Sequence, residues 1–556
     1  MTVKCRPGPL GASCLTCKRR HKKCDLRQPV CKRCEVGQFE CEGYGHNRRG
    51  PARNARSEVL DIPGARRAFP LLRSGSEDTT TTSSPESFIS PDPGTASVDS
   101  GLLDSNRACT IVSGRTNQIE DYLRLFATRS TSDAPTSPIS ILRKIINLQT
   151  ELPYSPIDPL KIFLNRPGFV EYILEQSDRV MDHWYFKPVS YPKKRFQKGV
   201  VLQLQTSPVT RWIALISMSI IETFHAGDMS QDPLHNIWIG YIENFLGREL
   251  AHDLTPHTAQ ERRNNWLYVS VMKNMIIHSS RTYQMLRNMS SLFLQVAFSE
   301  PDLWTNGYSS TYVPLSNVLS SEAHALAYFA LIDCTYAMAS GLPQQIEYDT
   351  TIYPQPRCSP RTKASSSHQW VHSSPTEFQL VLADINACRD KSPVARDRRD
   401  IEQWLVTWQS RHAEYEFTES WMTVAWYAVQ ESWRLALLVY LYLAVYDVPS
   451  DDPRIQSCVK QVLQVVGTIK KRDNSDANVS LFVQYLTIGI CARSETHRKL
   501  VRDKLSTHNE IRLWILRASD FVPVLDHLWH GAAAGGRPIK WSDYMRSREA
   551  ALPITI

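Results

Sequence analysis

The chain has 556 residues, 42% of them hydrophobic and 22% charged, with a formal net charge of +8. This composition excludes a fibrous or wholly disordered chain, and the length exceeds one ordinary domain. The charge is confined to residues 1–56, where fourteen Lys or Arg face four acidic residues for a net +10, leaving about −2 for the other 500. Such a localised excess points to a polyanionic partner rather than to general solubility.

The first ten residues, MTVKCRPGPL, lack the apolar run of a secretory signal. Seven of the thirteen cysteines follow within the first 41 positions, and the other six are scattered singly, as reduced core thiols are. A protein of an intracellular, reducing compartment is expected. The longest apolar runs, 212–221 and 435–446, fall short of the roughly 20 residues that a membrane span needs, so no membrane association is expected.

Cys14, Cys17 and Cys24 obey C-x2-C-x6-C, and Cys31, Cys34 and Cys41 repeat that spacing seventeen residues on. Each C-x2-C places two thiolates on the first turn of a short helix, close enough to share a metal. Two tetrahedral zinc ions need eight ligand positions, and six thiolates supply eight only if two of them bridge. The internal symmetry nominates Cys14 and Cys31. Thiolate softness favours zinc over magnesium or calcium, so two Zn²⁺ are the expected cofactors. A redox C-x2-C pair explains neither the duplication nor the absence of a βαβ pattern, and two separate zinc fingers would need two further ligands.

The two halves differ in charge. Lys18, Arg19, Arg20, His21, Lys22 and Lys23 fill the interval from Cys17 to Cys24, whereas Glu35 and Glu40 stand in the matching interval of the second half. Only the first half suits the DNA surface, with its helix end directed into the major groove. Arg48, Arg49, Arg53 and Arg56 should add phosphate contacts and a steep salt dependence.

The run CLTCKRRHKKCDLRQPVCKRCEVGQFEC, residues 14–41, resembles the fungal binuclear zinc-cluster family of transcription factors. The resemblance implies that the first and fourth cysteines bridge the metals, and that Pro29 turns the chain between the halves. It also implies that a residue pair within the basic interval, here Arg20 and His21, reads a CGG-type triplet. A lysine is common at the second of these positions in the family. The resemblance further implies regulation of RNA polymerase II transcription, a nuclear location and double-stranded DNA as partner. Many members follow the cluster with a dimerising coiled coil. Residues 42–75 hold no sustained heptad and are broken by Gly50, Pro51, Pro63, Gly64 and Pro70. The protein either binds as a monomer or forms a homodimer through its helical region.

Residues 57–115 form a Ser/Thr/Pro-rich segment that buries too little apolar surface to offset its chain entropy, and are predicted to be a disordered linker. Helical periodicity begins near residue 116, at Ile119, Tyr122, Leu123 and Phe126, and resumes from Val170 to Trp184. Further helical stretches are predicted near 211–224, 233–252, 259–277, 279–299, 321–340, 376–390, 399–412, 418–447, 453–470, 478–491 and 493–506, punctuated by Gly227, Gly341 and Pro449. The predicted fold is mainly α: a zinc-cluster domain over 1–56, the linker, and one large all-α domain over 116–556 with a fully buried helix at 435–446.

This helical region is similar to the regulatory domain of many fungal factors, which implies a role in autoinhibition, sensing of an unknown effector or contact with a co-regulator. Catalytic motifs are lacking, and no enzyme activity is expected. Asp451 and Asp452 are better helix caps than metal ligands. His368 and His372 have i, i+4 metal spacing but no third ligand near them in the sequence. Asp526, His527 and His530 read as a satisfied helix end. The rival reading is an α-helical ligand sensor or enzyme fused to a zinc-cluster segment.

Overall fold

The computed structural model describes residues 14–20, 22, 24–25, 27, 30–41, 137–151, 158–189, 193–304, 311–321, 323–352, 367–410, 416–417, 419–470, 479–506 and 516–556. The linker at 57–115 and the periodic stretch at 119–126 lie outside them. The described residues are mainly α-helical. Their strands are two short segments, Val313–Pro314 and Tyr348–Asp349, paired in parallel. The chain divides into two compact units, Met1–Gly101 and Leu102–Ile556.

In the larger unit, local signals start and stop the helices. Ser207 accepts a hydrogen bond from Val209 N at 3.3 Å and Pro208 occupies the first turn of helix Pro208–Ala226. Gly227 ends that helix in the left-handed region at φ 69°. Gly341 does the same for helix His324–Ser340 at φ 71°, and a Cβ there would sit 1.9 Å from Met545 Sδ. Pro449 precedes Asp452, which caps helix Pro453–Gly467 by accepting from Arg454 N at 2.9 Å.

Two hydrophobic cores result. The smaller gathers helices Pro138–Glu151, Pro159–Asn165, Phe169–Asp182, Pro208–Ala226 and Asp232–Leu250 around Phe163, Ile216, Ile220, Ile239 and Ile242. The larger surrounds helices His324–Ser340 and Ser420–Ala444; of the run expected to be buried throughout, 435–446, residues 435–443 are buried, whereas the helix ends at Ala444 and 444–446 are only partly buried. Helix Pro256–Met272 serves both cores. Leu267 and Val271, four apart, face the larger core, while Val269 and Met272 face the smaller. Only the C-terminal turns of this helix, from Leu267 to Met272, are buried in this way; the turns before them are polar.

Most of the described aromatic residues between 404 and 446 lie in or against the larger core. Trp426, Trp433, Tyr440 and Tyr442 are buried, and the polar tips of Trp433, Tyr440 and Tyr442 are satisfied. Trp433 Nε1 donates to Ser373 O at 2.8 Å, and Tyr440 Oη donates to Asn386 Oδ1 at 2.8 Å.

Candidate metal centre and nucleic-acid interface

Two five-residue helices carry the N-terminal site: α1, Leu15–Arg19, and α2, Lys32–Val36. They are built alike. Cys14 Sγ, just before α1, accepts from Cys17 N at 3.4 Å, and Cys31 Sγ, the N-cap of α2, accepts from Cys34 N at 3.3 Å. In each half the first sulfur thus satisfies an orphan amide at a helix start, an arrangement that favours thiolate.

The two halves meet at their sulfurs. Cys14 Sγ lies 3.7 Å from Cys31 and 3.8 Å from Cys34, and Cys17 Sγ lies 3.7 Å from Cys31 and 3.8 Å from Cys34. Four ligands about 2.3 Å from a tetrahedral zinc stand about 3.8 Å from one another, so this sulfur spacing fits the ion. Cys14, Cys17, Cys24 and Cys31 form one group of four sulfurs, and Cys14, Cys31, Cys34 and Cys41 form a second, all within 4.8 Å in each. The residues common to both groups are Cys14 and Cys31, the two that symmetry nominates as bridges.

Among the described residues, the sulfurs are the whole hydrophobic core of this unit. Its core consists of Cys14, Cys17, Cys24, Cys31 and Cys34, with Cys41 packed against them, while Val36 and Phe39 are exposed. Burial pushes the Cys14 and Cys17 thiols up, and the Cys34 thiol to about 12. A bound cation would compensate thiolates here.

Polar contacts brace the halves. Asp25 Oδ2 and Oδ1 accept from Lys32 N and Arg33 N, both at 3.1 Å. Desolvation opposes the Asp25 carboxylate, but these amides outweigh it and hold its pKa below the usual range. Thr16 Oγ1 donates to Glu40 O at 2.8 Å, and Arg27 pairs with Glu35. Arg19, Arg20 and Lys22 have exposed side chains. The Arg20 guanidinium stacks over the Phe39 ring, 3.3 Å from its centroid. A guanidinium placed over a ring face can still offer its N–H groups to another partner. His21, Lys23, Pro29, Arg48, Arg49, Arg53 and Arg56 lie outside the described residues, as does the side chain of Lys18.

The other motifs resolve in the larger unit. Asp452 is a helix cap that also pairs with Arg454 at 3.1 Å, as the reading as a cap requires. Asp526 pairs with Arg502 at 2.5 Å, His527 Nδ1 meets Ser547 Oγ at 3.1 Å, and His530 Nδ1 meets Asp526 O at 2.7 Å, a satisfied helix end. His368 and His372 are joined in space by a third histidine, His324. His324 Nδ1 lies 3.3 Å from His368 Nε2. Forty-four residues separate the two, so no local spacing announces the pair.

Comparison with known proteins agrees with this geometry. Residues 12–50 match the fungal Zn(2)-Cys(6) binuclear cluster domain, and residues 309–553 match the fungal specific transcription factor domain. The former binds two zinc ions and DNA. An uncharacterized transcriptional regulatory protein of Schizosaccharomyces pombe is 52% identical over 33 residues, 6% of each chain. White-opaque regulator 2 of Candida albicans is 41% identical over 51 residues, 9% of this chain and 11% of the relative. These matches span about a tenth or less of the relatives' lengths. No solved structure matches the chain at a significant level. The chain thus carries both a fungal Zn(2)-Cys(6) binuclear cluster domain and a fungal specific transcription factor domain.

Proposed function

We propose that this protein is a zinc-dependent, sequence-specific DNA-binding regulator of RNA polymerase II transcription that acts in the nucleus and reads a CGG-type triplet. The observation that supports it best is the pair of four-sulfur groups sharing Cys14 and Cys31. In this reading Cys14, Cys17, Cys24, Cys31, Cys34 and Cys41 hold two Zn²⁺, with Cys14 and Cys31 bridging. Lys18, Arg19, Arg20, His21, Lys22 and Lys23 meet double-stranded DNA. The Arg20 fork suits the O6 and N7 acceptors of guanine, and the neighbouring cations set the register through phosphates. The helical unit contributes regulation, through an effector, a co-regulator or a second copy of the chain.

Fluorescence anisotropy of the full chain on labelled duplexes, with and without a CGG triplet, tests this. Chelation or Cys17→Ala should abolish specific binding while far-UV circular dichroism keeps the helical signal. Specific binding that survives removal of zinc would overturn the proposal.

A further inference from the structure

The larger unit contains a second cluster of metal-ligating side chains, far in sequence from the cysteines. His324 and Tyr328 stand four apart on helix His324–Ser340 and so share one face. His368 and His372 also stand four apart, at the start of and just beyond the short helix Ser367–Val371. These two faces meet. The Tyr328 ring packs edge-on against His368, with centroids 5.0 Å apart at 88°, and against His372, 5.3 Å apart at 81°. The His368 and His372 rings lie nearly parallel, 6.3 Å apart at 8°, and His324 meets His368 at 5.3 Å and 67°.

Burial sets the chemistry of these rings. His368, Gln369, His372, Ser373 and Ser374 are all buried, a polar segment inside the domain, whereas His324 is half-buried. Burying polar groups is costly unless they gain partners, and His368 Nδ1 is buried without a hydrogen-bond partner. Desolvation, with His324 and His372 adding to it, holds His368 well below the ordinary imidazole range. Desolvation also lowers His372 to about 3. Neutral imidazole is the form that ligates metal.

We propose that His324, His368 and His372 form a binding site for a divalent transition metal ion, distinct from the cysteine cluster, with His324 Nδ1 and His368 Nε2 as its primary ligands. Two imidazole nitrogens at 2.0–2.1 Å from a tetrahedral ion stand about 3.3–3.4 Å apart, and the observed separation is 3.3 Å. A direct N–H hydrogen bond is best at about 2.9–3.0 Å. One such bond would account for this contact alone, not for the third imidazole beside it. His372 packs beside the pair, its ring centroid 6.3 Å from that of His368, and would have to turn that ring to supply a third nitrogen. An all-imidazole set suits Zn²⁺, Ni²⁺, Cu²⁺ or Co²⁺ rather than Mg²⁺ or Ca²⁺. The site gives the helical unit a chemically defined effector class.

The test is metal stoichiometry on the full-length chain. Protein equilibrated with Zn²⁺ and freed of loosely held ions should carry three zinc per chain by elemental analysis, two at the cysteines and one at the histidines. In the Co²⁺ form, the third ion should add ligand-field absorption without further thiolate-to-metal charge transfer. His324→Gln, at the half-buried position, should return the count to two with the charge-transfer band unchanged and the helical circular dichroism intact. His368→Gln should do the same if it folds. A wild-type count that stops at two overturns the proposal whatever the variants do. So does a third ion that adds thiolate charge transfer, or one that folded His324→Gln retains.

Discussion

Cys14 and Cys31 bring their sulfurs to 3.7 Å, and each accepts the amide of the residue three positions on. Each therefore belongs to both four-sulfur groups, whereas Cys17, Cys24, Cys34 and Cys41 each belong to one. Losing a shared sulfur opens both tetrahedra at once. Cys14→Ser or Cys31→Ser should reduce the zinc held at the cysteines from two ions to none, and Cys41→Ser, at the half-buried corner, from two to one, each leaving the ion proposed at the histidines in place. Native mass spectrometry of the full chain counts the ions. Equal losses for Cys14→Ser and Cys41→Ser would contradict the bridging assignment.

The stacking of Arg20 on Phe39 links the basic half to the acidic half. Arg20→Ala should weaken binding to a CGG-containing duplex about ten- to a hundredfold and narrow its preference over a scrambled duplex, because a bidentate guanine contact discriminates by about 1–3 kcal/mol. Phe39→Ala leaves the guanidinium in place but unrestrained, and immobilising such a side chain costs about 0.5–1.5 kcal/mol. Its binding should weaken about threefold, with the zinc count unchanged. An anisotropy titration in which Phe39→Ala matches wild type would show that the stack does not position Arg20.

Asp452 caps helix Pro453–Gly467, while its neighbour Asp451 is exposed. Asp452→Ala should lower the stability of the helical unit by about 1 kcal/mol. Asp451→Ala should change it by less than about 0.5 kcal/mol. Urea melts followed by circular dichroism separate the two, and equal costs would argue against the cap.

His235 is fully buried and meets Ser219 Oγ at 2.9 Å. Desolvation outweighs the opposing pull of Asp228 and lowers its pKa from 6.5 to about 4. The unfolded chain takes up the proton first. The stabilising contribution is therefore complete above pH 6.5 and is lost as the pH falls toward 4, by about 3 kcal/mol over that window. His235→Gln should flatten this part of the profile in urea melts at pH 7.5, 6 and 5. An unchanged profile would remove His235 as its source.

What the sequence by itself determined is what short spacing encodes. The duplicated C-x2-C-x6-C pattern, the charge asymmetry of its halves, the caps at Asp452, Gly227 and Gly341, and the buried run at 435–443 all depend on residues within a few turns of one another. Helical periodicity and tetrahedral ligand geometry act over that range, so these features were legible. Helix Pro138–Glu151 and the C-terminal helix Trp541–Ala551 were not. Only the tertiary structure decided which sulfurs are shared in space, that Phe39 lies beneath Arg20, that helix Pro256–Met272 serves two cores, and that His324 meets His368. Each joins segments whose approach is set by how whole helices pack, and packing contacts leave no fixed interval in the chain. The feature common to both levels is the pair Cys14 and Cys31: symmetry in the sequence nominates them as bridges, and the fold brings their sulfurs into contact.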